Sequence, residues 1–218
     1  MRVRIGCWAW IAAVVQFFAV QAVVESAWSR PYSWARNNIS DLGNAHCALQ
    51  RQPEPRYVCS PDHVLMNGSF AALGTLLVLG AVLTGPLWRR SASALSARIL
   101  LAGAGLGFLL AGLAPADVHE NPHVLGALLI MGGGNIALLT AGPGLSATAV
   151  PRALRRTTPL LGLTGLTGLC LFLSHHYLGL GMGGMERVAL FPLLVWVLVA
   201  GAVGLTGRAP GRVERADV

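Results

Sequence analysis

At 218 residues, 54% hydrophobic and 11% charged, the chain holds less than half the charge of an ordinary soluble domain, about 25%. That composition excludes a water-covered globule. The net charge of +7 comes from 16 basic residues, all of them arginine. They stand in short clusters between apolar runs, which argues against a nucleic-acid surface and for a membrane-topology signal.

The pattern predicts an all-α, polytopic membrane bundle of six transmembrane helices forming a single domain over 1–218. Each apolar run approaches the roughly 20 residues that cross a hydrocarbon core about 30 Å thick. Backbone groups in lipid must be satisfied within the segment, so each run is a helix rather than an open strand. Segment one covers about 5–24, behind Arg2 and Arg4. Its length and its bulky Trp8, Trp10, Phe17 and Phe18 favour a retained helix over a cleaved signal peptide. A long polar interval, 25–62, follows. Segment two covers about 63–87 and ends before Arg89 and Arg90, and segment three covers 98–114 and stops at Pro115. Segment four covers 122–145, beginning at Pro122, a residue suited to the first helical turn because its missing N–H has no partner there. Segment five covers 159–178, a glycine-rich turn follows at 179–184, and segment six covers 186–206. The tail, 207–218, carries Arg208, Arg212 and Arg215.

Arginine in short loops marks the cytoplasmic side. One side collects Arg2, Arg4, Arg89, Arg90, Arg98, Arg152, Arg155, Arg156 and the tail arginines. The other holds Arg30, Arg36, Arg51, Arg56 and Arg187, four of them in the long loop where the rule is weaker. Both termini are therefore expected in the cytoplasm and the polar interval outside. The arginine-only, Ala- and Gly-rich usage suggests a bacterial plasma membrane. Cys47 and Cys59 share the outer loop, where an oxidising compartment permits a disulfide. Cys7 and Cys170 fall in apolar segments and are expected to pack as small hydrophobes. Gly103 with Gly107, Gly132 to Gly134, and Gly162, Gly165 and Gly168 suggest close helix contacts, making helices three, four and five the tight part of the bundle.

With that orientation all six histidines fall outside: His46, His63, His119, His123, His175 and His176. So do Glu25, Asp41, Glu54, Asp62, Asp117, Glu120 and Glu186, leaving only Glu214 and Asp217 inside. The arginines alone set the topology, so this sorting is independent of it and points to an outward-facing polar pocket, against the plainer reading of a wet, decorated surface. His119–His123 matches the letters of a zincin motif, but Pro122 disfavours helix at Asn121 and works against the required spacing. A looser zinc site drawn from His63, His123, His175 or His176, with Asp41 or Asp117, lacks a spacing motif. Glu186 suits the positive end of helix six, and Arg187 is expected to serve as the counter-charge of Asp41. Asn38 and Asn67 head glycosylation-like triplets but read better as polar packing residues.

Residues 33–43 (SWARNNISDLG), 111–117 (AGLAPAD) followed by a histidine, 183–187 (GGMER) and 191–196 (FPLLVW) together resemble one family. It is catalogued as domain of unknown function 998, six-helix membrane proteins of bacteria and archaea, and the likeness spans about 5–206. The resemblance implies fold and membrane placement, but no activity. It directs attention to Asn38, Ser40, Asp41, Asp117, His123, Glu186 and Arg187 as the matching polar positions. The cysteine-containing part of the outer loop is a local elaboration. Three functions are open: a pocket for a lipid headgroup or partner, a metal-dependent lipid hydrolase at the outer leaflet, and a small transporter.

Overall fold

The computed structural model describes residues 1–51 and 54–206. Among them are six helices long and apolar enough to cross a membrane: α1 (Arg2–Ser26), α2 (His63–Leu83), α3 (Ala92–Leu113), α4 (Glu120–Gly144), α5 (Arg152–Leu173) and α6 (Gly181–Thr206). The tail residues Arg208, Arg212, Glu214, Arg215 and Asp217 lie outside the described residues. Each helix packs on its neighbours in the chain, and α6 returns to α1, so the six close into a ring.

Several boundaries differ from the sequence reading for local reasons. Helix α3 starts at Ala92 rather than 98 because the Ser91 hydroxyl caps it, accepting the Ala94 N–H at 3.3 Å. Helix α5 starts at Arg152, which leaves Pro159 inside it rather than at its head. The Pro159 ring fills the space where a Cβ on Gly142 would stand, so the irregularity is packed against α4. The same helix stops at Leu173, and His175 then takes φ 58°, a left-handed conformation that ends a right-handed helix. Helix α6 begins at Gly181, so most of the expected glycine turn is helical.

Water does not drive helices together inside a bilayer, so close packing and interhelical hydrogen bonds hold the ring, each bond contributing about 0.6 kcal/mol. Trp10 and Trp196 are fully buried with ring centroids 5.6 Å apart. Their indole N–H groups donate to the Leu77 carbonyl at 3.2 Å and the Thr158 hydroxyl at 3.0 Å. Helix α4 contains a π-helical turn at Leu129–Gly133. Just beyond it, buried Asn135 donates from Nδ2 to the carbonyls of Met131 and Ala189, both at 2.7 Å, tying the irregular turn to α6. Gly165 lies against the Asn135 side chain, while Gly162 and Gly168 lie on the backbones of α4 and α6. Gly103 and Gly133 meet nothing, so they are not contact glycines. The tight packing also extends beyond helices three to five, since Gly74 and Gly105 bring α2 and α3 together.

Residues between α1 and α2 form a cap over one end of the ring. It contains a 3-10 turn (Ser40–Gly43) and an antiparallel hairpin, β1 (Ala48–Gln50) with β2 (Arg56–Val58). The hairpin has no forecast in the sequence reading. Its strands are too short for an alternating pattern to stand out, and a disulfide between Cys47 and Cys59 clasps them. Cys7 is buried as expected, but Cys170 is exposed on the perimeter of the ring rather than packed within it.

Candidate functional site

The cap is pinned to the helices by charged side chains, and these contacts define the site. Asp41, only 2% exposed, sits in the 3-10 turn. Arg56 of β2 grips it with two parallel hydrogen bonds, Nε to Oδ2 at 2.8 Å and Nη2 to Oδ1 at 2.9 Å. The Asn38 N–H and the Asn37 amide donate to the same carboxylate at 3.0 and 3.3 Å. Burial opposes the Arg56 charge, but its hydrogen bonds and attraction to Asp41 prevail, and its pKa rises above the ordinary value. Arg56, not Arg187, is therefore the counter-charge of Asp41.

Arg187 does different work. Its Nη1 donates to the carbonyls of Trp34 (3.0 Å), Asn37 (3.0 Å) and Gly183 (2.7 Å). Its Nη2 donates to the Tyr32 hydroxyl at 2.7 Å, and the guanidinium lies 4.7 Å over the Trp34 ring. Burial pushes the Tyr32 hydroxyl well above its usual range, so it stays protonated and donates onward to the Asn38 carbonyl at 2.8 Å. Arg187 thus fastens residues 32–38 to α6. The adjacent Glu186, 7% exposed, accepts the Ile39 N–H at 2.5 Å, with the Ser40 amide as a second backbone donor. Two consecutive residues in the second turn of α6, past the helix end where the sequence reading put Glu186, hold two different parts of the cap. Gly183 beside them allows the approach, because a Cβ there would collide with the Asn37 carbonyl.

Asp117, between α3 and α4, is the third anchor. It accepts the Ala45 and His46 N–H groups at 3.0 and 2.8 Å and meets the His46 ring at 3.1 Å. Partial burial raises its pKa, but the two backbone donors and His46 outweigh that, and the net shift is downward. His123 bonds the Ala114 carbonyl through Nδ1 at 2.9 Å. A carbonyl can only accept, so Nδ1 carries a proton and donates.

Between cap and helices runs an open groove of about 770 Å³. Asn38, Ser40, Asp41, Asp117, His123 and Glu186 line it, together with Arg56, His46, Asn44 and Glu120. Beneath it lies a small recess of about 40 Å³ that shares Ser40, His123, Ala127, Met131 and Glu186 with the groove and is otherwise walled by Phe70, Phe108, Ile130, Leu190 and other apolar residues. The π-helical turn supplies Ile130 and Met131 to this wall. Six of the seven residues singled out from the sequence thus line one groove, and Arg187 stands behind it.

The weaker metal candidates are not brought together. His63 bonds the Ser60 carbonyl, His175 the Tyr177 hydroxyl and His176 the Ser174 carbonyl. Among the described residues no group of three or more His, Cys, Asp or Glu side chains is placed to hold a metal ion. In the zincin-like stretch α4 begins at Glu120, so Asn121 is helical after all; Pro122 is tolerated because it falls in the first turn. His119 precedes that helix and is exposed. Asn67, inside α2, donates to the Gly43 carbonyl at 2.9 Å, a packing role. Sequence reasoning missed Arg56, Tyr32 and Asn37. Arg56 was visible only as one more arginine in a long loop, and nothing local names its partner.

These features define a polytopic six-helix membrane protein whose inter-helix cap is held to the bundle by Glu186, Arg187 and Asp117 and braced internally by the Asp41–Arg56 pair. The chain belongs to the family described as Protein of unknown function (DUF998), whose family model matches residues 11–203. Searches of curated proteins and of solved structures find no match.

Proposed function

We propose that the groove is an outward-facing binding site for a lipid headgroup, in a multi-pass protein of the cell membrane with both termini in the cytoplasm. One observation carries this reading: a wide polar groove at the helix ends narrows into an apolar recess between the helices, with Glu186 and His123 at the join. A polar mouth leading to an apolar floor suits an amphiphile. Charge narrows the class. Asp41, Asp117, Glu120 and Glu186 face a single lining guanidinium, that of Arg56. The excess of carboxylates favours a headgroup bearing an ammonium over a purely anionic one. Arginine asymmetry supports the outward orientation, and among the described residues no three His, Cys, Asp or Glu side chains are grouped to hold a metal ion, which gives the metal-dependent hydrolase and its zinc no geometric support. Nor does any feature of the groove favour a transporter.

The test is labelling of the purified protein in bilayers by a photoreactive phosphatidylethanolamine. Cross-links are expected on peptides bordering the groove, and Glu186→Gln and His123→Ala should each reduce them severalfold. Labelling confined to the outer perimeter of the ring, or unchanged in both variants, would overturn the reading.

A further inference from the structure

The opposite end of the ring carries a separate feature. The loop after α2 and the loop after α4 are joined there by a backbone bridge, with the Arg89 N–H on the Gly144 carbonyl at 2.9 Å and the Ser146 N–H on the Leu87 carbonyl at 2.8 Å. The junction gathers two arginine groups at one end. They differ in setting. Arg89 and Arg90 are exposed, and Arg98 beside them is committed to the carbonyls of Ala81 and Val82. Arg152, Arg155 and Arg156 instead line a cleft of about 390 Å³ between α4 and α5, closed by Gly142, Pro143 and Pro159.

Three observations mark that cleft as suited to an anion. First, the Arg155 Nε is buried and has no hydrogen-bond partner among the described residues. Second, the three guanidinium groups stand in the first turns of α5, the end where the helix dipole is already positive and cations are disfavoured. No acidic residue stands in that first turn and no side chain caps it. Third, the Asp41–Arg56 and His46–Asp117 ion pairs stand at the cap end of the bundle, far from this cleft. Local cationic charge with no carboxylate among the described residues lining it, in a cleft between helices at the end of a membrane span, matches the setting in which anionic headgroups are held. We propose that Arg152, Arg155 and Arg156 bind the phosphate of an anionic phospholipid, its chains lying along α4 and α5. The planar guanidinium forks suit phosphate oxygens.

The experiment is native mass spectrometry of the full chain in detergent with equal phosphatidylglycerol and phosphatidylcholine. Wild type is expected to retain phosphatidylglycerol preferentially, and the preference should fall about fivefold for each arginine neutralised in the cleft. The pair Arg155→Gln/Arg156→Gln is the principal variant, and Arg156→Gln alone, at an exposed position, serves if the pair fails to fold. Arg89→Gln/Arg90→Gln removes equal charge at the same end outside the cleft and should leave the preference largely intact. Equal retention of both lipids by wild type, or an equal loss in the Arg89/Arg90 variant, would overturn the site and leave only diffuse surface charge. Inorganic phosphate at millimolar concentration should not displace the lipid; complete displacement would reassign the cleft to a soluble anion.

Discussion

Asp41 and Arg56 are 15 positions apart, yet they form a near-buried bidentate pair that no local pattern announces. Removing one member strands the other charge away from water, which typically costs about 3–5 kcal/mol. Asp41→Asn and Arg56→Gln are each expected to lower the thermal midpoint of the detergent-solubilised protein strongly, whereas the double variant should fall short of their sum. Additive losses would mean that the two residues act separately. Asp117 makes a pH prediction. Its folded pKa lies below the ordinary aspartate value of 3.8. The stability it contributes is therefore fully present above that value and is lost as pH falls through the folded pKa. Acidification below pH 4 should lower the protection factors of the Ala45 and His46 amides in wild type, and in Asp117→Asn these amides should be poorly protected already at neutral pH.

At the scale of elements, the cap hairpin and the α4–α5–α6 contact illustrate two ways of fixing irregular structure. The hairpin is only three residues per strand, too short to hold itself, and it delivers Arg56 to Asp41. The Cys47–Cys59 disulfide closes it across 12 positions. Loops of this size typically gain about 2–4 kcal/mol from closure. Peptide mapping without reductant should find the linked pair, and Cys47→Ser/Cys59→Ser should raise amide exchange at Arg56–Val58 while leaving the helices protected. Deeper in the ring, Gly165 is matched to Asn135. Adding a methyl at Gly165→Ala should destabilise by about 1–3 kcal/mol through overpacking. Asn135→Ala in the same chain should recover part of that loss by removing the obstructing amide. A double variant as unstable as the sum of the singles would place the conflict elsewhere.

For the whole molecule, the arginine distribution predicts the topology. Reporter fusions after Arg90 and after Arg156 should read cytoplasmic, and fusions near Gln50 and Glu120 should read external; the reverse pattern would invert the proposed site. Six helices were legible in the chain because crossing lipid requires long unbroken apolar runs, a constraint each segment meets alone. Many of the polar residues lining the groove were legible too, since polar residues are scarce in this composition, Asp117, His123 and Glu186 stand near segment ends and Asp41 lies in the one long polar interval. Which charge answers which was decided only in three dimensions. Arg187 was expected on Asp41 but is satisfied by the carbonyls of Trp34, Asn37 and Gly183, while Arg56 takes the carboxylate. The hairpin, the early start of α6 and the π-helical turn likewise rest on contacts between distant segments. Helix formation in lipid is dictated by each segment's own backbone, whereas pairing a buried charge depends on where the folded chain brings its partner.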